Sequence, residues 1–338
     1  MNNYRRFVLS TFLFAVPFII ILISYFILDP FKALYHYDNY YPETERGPEL
    51  NKDMVTTSYF LQQQDSMNFN SFILGNSRSF AFETKEWQKH LSQDAVCFHF
   101  SAYGESLYGV SKKVSFLYKK ATLKNVLIVW DSDLLAMDYP EYSRVLHMVT
   151  PSIDNGSWYK WHKCFLTGYL TPKMCSSFLL TKILGRVTPL TENVIGIRAA
   201  NYEDRFGNLT YQNMEKKIKD GIYYTPELIK LFQERDSVDI TVAHYKPQVI
   251  TSENHKRLLY EIKKAFESSN TSYKIVISPM WDALHINPQD KKILQDIFGK
   301  EYIYDYSGYN SYTQDWQNYY ERMHYRVGVA NDIMNKIY

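Results

Sequence analysis

From Phe7 to Leu28 the sequence carries no charged residue and is almost wholly apolar. A run of this length matches the ~20 residues that a helix needs to cross a bilayer. In lipid a backbone must satisfy its own polar groups, so the run has one fold open to it. Arg5 and Arg6 stand just before it, and the positive-inside tendency keeps that short end in the cytoplasm. A cleaved signal would have a shorter apolar core and a small-x-small site, whereas this run ends in Tyr25-Phe26-Ile27-Leu28-Asp29-Pro30. Pro17 is compatible with a membrane helix. No second run of comparable length follows. Residues 1–30 therefore read as a cytoplasmic stub and single-pass signal anchor, and the rest as an extracytoplasmic ectodomain at the cytoplasmic membrane.

The 338 residues suffice for one large domain, or one domain with a substantial insertion. Residues 31–70 are polar and tyrosine-rich, and read as a juxtamembrane linker with one helix near Met54–Gln63. An alternation then begins. Phe72–Leu74, Ala95–Phe100, Val126–Trp130, Tyr273–Ser278 and Tyr302–Tyr306 read as strands. Glu83–Leu91, Ser106–Lys120, Ser252–Ser268, Pro288–Phe298 and Val327–Ile337 read as helices. Val110, Val114 and Leu117 recur at helical spacing, as do Leu258, Leu259, Ile262 and Phe266. Val126–Trp130 is a continuous apolar run suited to a sheet covered on both faces. Strands alternating with helices predict an α/β fold over 71–338, a doubly wound parallel sheet with right-handed crossovers. Between about Asp138 and Ile250 the alternation lapses, leaving helical pieces near Lys173–Leu184 and Thr225–Asp236. That segment reads as a mainly helical insertion over the strand ends, either facing substrate or purely structural.

Lys+Arg 38 against Asp+Glu 36 leaves +2, too balanced to point to nucleic acid. No glycine-rich phosphate loop, zinc-spaced cysteine set or calcium loop occurs, so neither cofactor nor metal is expected. Three cysteines allow at most one disulfide, with Cys164 and Cys175 the nearest pair in sequence. Cys97, in an apolar strand pattern, reads as a small core residue. The 30 tyrosines and 6 tryptophans suit glycan stacking but equally suit core packing.

The chemistry concentrates at Phe72-Ile73-Leu74-Gly75-Asn76-Ser77-Arg78-Ser79. A strand runs into a glycine turn and presents Ser77 at the carboxyl edge of a sheet, where such folds place reacting groups. Serine needs a base for its proton and donors for the oxyanion. The Ser77 N–H is one candidate donor, and Gly104, after the second strand, brings another. Near the far end, Glu321-Arg322-Met323-His324-Tyr325 offers His324 as base and Glu321 as the carboxylate that orients it. Ser77 also reads as a helix cap, a frequent serine role.

These motifs resemble the SGNH (GDSL-like) hydrolase superfamily, and more narrowly its membrane-anchored cell-envelope members. Those are similar in layout to the teichoic acid D-alanine-transfer protein and the alginate O-acetylation proteins. The resemblance covers about Ser71 to the C-terminus without the insertion. It implies a flavodoxin-like three-layer domain, Ser77 as nucleophile, Gly104 as oxyanion donor and His324 as base. It implies a serine esterase or O-acyltransferase acting on acyl, chiefly acetyl, esters of a cell-envelope or exported polysaccharide, sometimes with a multi-spanning membrane O-acyltransferase as partner.

Two positions depart from the family pattern. Glu321 replaces the usual aspartate, and Asp131-Ser132-Asp133 stands where an oxyanion-donating asparagine is expected. An ionised aspartate cannot donate. Arg78 reads either as an anion contact or as a structural ion-pair residue, and Asp131 and Asp133 as cleft residues, Asp131 paired to a nearby cation. Asp282-Ala283-Leu284-His285 is a rival acid-x-x-His, with His285 as alternative base or substrate contact. The departures also fit a second reading, a catalytically degenerate module that binds glycan or a membrane acyltransferase.

Overall fold

The computed structural model describes residues 3–197, 204–209, 211–237 and 242–338. Helix α1, Asn3–Leu28, carries the apolar run, with Pro17 inside it. At about 1.5 Å per residue its 26 residues reach past the ~30 Å hydrocarbon core, so it is long and apolar enough to span a membrane.

The chain divides into two compact units. One comprises Met1–Asn51, Tyr142–Met148 and Ser157–Tyr202, the other Lys52–Glu141, Val149–Gly156 and Glu203–Tyr338. The second unit is α/β and is built on a five-stranded, wholly parallel sheet. Its strands are β1 (Ser71–Gly75), β2 (Cys97–His99), β3 (Asn125–Trp130), β4 (Ser272–Ile277) and β5 (Ile303–Asp305), in spatial order β2-β1-β3-β4-β5. Register is continuous across the centre: Ile73 lies beside Leu127, and Leu127 beside Lys274.

Helices cover both faces, as side chains that alternate along each strand require. Here α2 is Lys52–Met67, α3 Thr84–Gln88, α4 Leu107–Lys120, α5 Glu253–Ser268, α6 Pro288–Phe298 and α7 Val327–Ile337. On one face Ile73, Leu127, Val129 and Val276 pack with Trp87 of α3 and with Ala330, Ile333 and Met334 of α7. On the other, Phe72 meets Phe60 of α2 at 6.0 Å between ring centres, and Phe60 meets Phe116 of α4 at 5.8 Å. Leu258, Leu259, Ile262 and Phe266 are fully buried along α5, each contributing roughly 1.5–3 kcal/mol. Ser106 caps α4 by accepting from the Gly109 N–H, and Ser252 opens α5 in a capping box with His255.

In the other unit the end of α1 is clasped by the helix Trp158–Tyr169. Ser24 Oγ lies 2.7 Å from Tyr169 OH, the Tyr25 and Tyr169 rings pack at 5.5 Å, and Phe31 meets Phe165 at 5.4 Å. Arg46–Gly47 pairs antiparallel with Gly196–Ile197.

Two expectations need amendment, and the pairing of the cysteines, left open by the sequence, is answered. The linker reading of 31–70 fails from Lys52 onward, because α2 is a full helix whose Phe60 is buried in the sheet unit. The 138–250 insertion is not one body: Tyr142–Met148 and Ser157–Tyr202 group with α1, and the remaining pieces with the sheet. Its residues 198–203, 210 and 238–241 lie outside the described residues. Cys164 and Cys175 form no disulfide; each of the three cysteines is a buried thiol, and burial pushes Cys97 up to about 12.

Candidate active site

Strand β1 ends at Gly75, a position where nothing larger fits. A Cβ would stand 2.6 Å from the Val129 carbonyl oxygen and 2.9 Å from Ser79 Cβ. The chain then enters a short 3-10 turn, Ser77–Ala81. Asn76, not Ser77, caps it: Asn76 Oδ1 accepts from the Arg78 N–H at 3.0 Å. The Asn76 carbonyl accepts from both the Ser79 N–H and Ser79 Oγ, at 2.9 and 2.7 Å. With the cap supplied elsewhere, the Ser77 hydroxyl is left for other work.

His324 reaches it from the opposite end of the chain. Strands β6 (Tyr319–Glu321) and β7 (His324–Tyr325) form an antiparallel hairpin in which Glu321 is the cross-strand partner of His324. His324 Nε2 lies 2.7 Å from Ser77 Oγ, and Glu321 Oε1 hydrogen-bonds His324 Nδ1. The Met323 N–H donates to Glu321 Oε2 at 2.7 Å, fixing the carboxylate in the turn. The extra methylene of glutamate, relative to aspartate, is absorbed by this cross-strand geometry. Burial raises the Glu321 carboxyl, but its bonds to His324 and Met323 and the nearby Arg78 charge outweigh that and hold it below the ordinary value.

Tyrosines carry the hairpin. Tyr319 OH donates to the Pro279 carbonyl at 2.9 Å, and Tyr325 OH lies 3.3 Å from Ser278 Oγ, both just beyond β4. Tyr224 OH donates to the Tyr319 carbonyl at 2.9 Å, Tyr223 OH to the Tyr320 carbonyl at 3.1 Å, and Tyr320 stacks on Tyr211. At these positions the aromatic excess is scaffold.

Arg78 is only 6% exposed. Its Nη2 donates to Asp133 Oδ2 at 2.8 Å and its Nη1 lies 3.4 Å from Asp131 Oδ2, which gives it the ion-pair role. Asp131 accepts from Asn76 Nδ2 at 2.7 Å and caps the short helix Ser132–Leu135 through the Leu134 N–H. At the position of the expected donor stands an acceptor that braces the Ser77 turn. Gly104 sits in the loop after β2 at φ +52°, a left-handed conformation suited to glycine. That loop is tied to β1 by the Ala102 N–H bond to the Gly75 carbonyl at 3.3 Å. Among the described residues neither the Ser77 nor the Gly104 N–H donates to the protein.

The rival pair is not assembled. Asp282 pairs with Lys246 at 2.5 Å, while the His285 ring packs on Tyr245 and against Gly308. Sequence reasoning missed two buried supports. Ser79 Oγ lies 3.0 Å from His99 Nε2, and burial together with the Lys52 and Lys113 charges holds His99 well below the usual histidine range. Lys113, fully buried, bridges Asp53 of α2 at 2.7 Å and Glu105, the neighbour of Gly104, at 2.5 Å. A histidine within an apolar strand and a lysine within an amphipathic helix give no sign of such partners.

No protein-family model matches the chain, and no curated protein matches it in sequence. The chemistry therefore rests on geometry: a hydroxyl, an imidazole and a carboxylate in one hydrogen-bonded line, at the carboxyl ends of parallel strands.

Proposed function

We propose that the chain is a membrane-anchored, extracytoplasmic serine esterase or O-acyltransferase of SGNH type, acting on acyl, chiefly acetyl, esters of a cell-envelope or exported polysaccharide. The observation that carries this reading is the Ser77–His324–Glu321 line, drawn together from positions 247 residues apart. The strand order 2-1-3-4-5 supports a flavodoxin-like domain, in which ligands bind at the carboxyl ends of the strands.

In this mechanism Ser77 Oγ attacks the ester carbonyl carbon while His324 Nε2 takes its proton. Glu321 holds Nδ1–H and stabilises the imidazolium. The oxyanion accepts from the Ser77 and Gly104 N–H groups. Collapse of the intermediate breaks the C–O bond, and His324 returns the proton to the departing alcohol. Water or a sugar hydroxyl, deprotonated by His324, then takes the acyl group from Ser77. A multi-spanning membrane acyltransferase is the proposed source of acyl groups where transfer, not hydrolysis, is the outcome.

The test uses the full chain in detergent with p-nitrophenyl acetate and a fluorophosphonate probe. Ser77→Ala and His324→Ala should each lower turnover about a thousandfold or more, with the unfolding midpoint retained. Labelling should vanish in Ser77→Ala. Turnover by Ser77→Ala at the wild-type rate would overturn the proposal. No labelling of the wild type, with glycan binding retained, would replace it with the non-catalytic binding module.

A further inference from the structure

We infer that the groove between the last turn of α1 and the helix Trp158–Tyr169 binds one phospholipid of the adjoining membrane leaflet, taking an acyl chain along its apolar wall and the lipid phosphate at Lys163. This rests on α1 crossing the bilayer and not on the ester chemistry.

The groove has a volume of about 690 Å³, within the ~300–1,000 Å³ range of small-molecule sites. It lies wholly inside the unit that contains α1. Its wall is apolar, made by Phe26 of α1, by Leu34 and by Leu166. Because α1 ends at Leu28, a groove that starts at Phe26 sits where hydrocarbon gives way to headgroups. Tryptophan and tyrosine are enriched at that depth, since their rings suit a half-wet environment. Trp158 is 51% and Tyr159 74% exposed on the groove's rim, large rings in water unless something apolar covers them. Continuity with the lipid-facing surface of α1 makes the membrane the nearest source of that cover.

One cation completes the match. Lys163 lines the groove, and no carboxylate among the described residues pairs with its ammonium. His162, alongside, stacks on Trp158 at 5.8 Å, and burial pushes its pKa down against the opposing charge of Asp29. Lys163 is thus the group that would hold a phosphate. An apolar trough with one ammonium at its mouth is complementary to an acyl chain ending in an anionic headgroup.

Native mass spectrometry of the full chain, released from mild detergent with phosphatidylglycerol and phosphatidylcholine present, tests this. The wild type should retain one phospholipid and favour phosphatidylglycerol by about fivefold, the effect of a single lysine near an anionic surface. Lys163→Glu should lose that preference, and Leu166→Asp should lower retained lipid at least tenfold. Leu34→Gln, on a different segment of the wall, repeats the test should Leu166→Asp fail to fold. Unchanged retention in the wall variants would assign the lipid to the general surface of α1 and overturn the inference. So would a wild-type dimer that carries no lipid, which would give the groove to a second copy. Retention is read equally well in Ser77→Ala, so failure of the lipid site and failure of the esterase reading are separable.

Discussion

Glu321 shows how one residue's tolerance depends on its setting. On a loop, a carboxylate one methylene too long would overshoot the imidazole. In the β6–β7 hairpin it comes across from the paired strand, and its second oxygen is fixed by the Met323 N–H. Glu321→Gln should therefore keep the hairpin yet lower kcat/KM for an activated ester by about 10²–10⁴, because the amide no longer holds the reactive tautomer. The same residue makes a pH prediction. Its folded pKa lies below the ordinary 4.5, so its stabilising contribution is complete above that value and is lost as pH falls through the lower, folded value. The urea midpoint of the wild type should exceed that of Glu321→Gln at pH 7, and the gap should narrow as acid takes the pH below the ordinary carboxylate value. A gap that widened with acid would contradict the ionised pair.

At the scale of elements, the Ser77 turn depends on close packing between β1 and β3. Gly75→Ala pushes a methyl group against the Val129 carbonyl, backbone that cannot swing aside. We expect a loss of about 1–3 kcal/mol in urea unfolding, with a fall in fluorophosphonate labelling as Ser77 is displaced from His324. Unchanged labelling would show that the turn has slack. The Lys113 cluster joins α2, α4 and the Gly104 loop. Burial and the nearby Asp53 raise Glu105 against the opposing pull of Lys113. Lys113→Met should cost roughly 3–5 kcal/mol by leaving two buried acids without their cation. Adding Glu105→Gln should restore part of it, and failure to do so would place the penalty in packing instead.

Over the whole molecule, the buried thiols predict that reduction leaves the thermal midpoint unchanged and that alkylation requires unfolding. A midpoint lowered by reductant would reveal a disulfide. The sequence by itself determined the long apolar helix and the sheet, because both follow from local composition. An uncharged run of this length can only be a buried or membrane helix, and Val126–Trp130 is too apolar to face water. Helix α6 matches its predicted bounds residue for residue, since Pro288 opens it and Gly299 stops it. Ser77 and His324 stood out as candidates too, each from its own motif. Their pairing was an expectation of the family resemblance, but the hairpin that delivers His324, the brace from Asp131 to Asn76 and the burial of Lys113 were not legible. The hairpin strands are too short to show a period, and the other contacts join residues far apart in the chain. Only the folded sheet decided them, because crossovers, not sequence distance, set which side chains share its carboxyl edge.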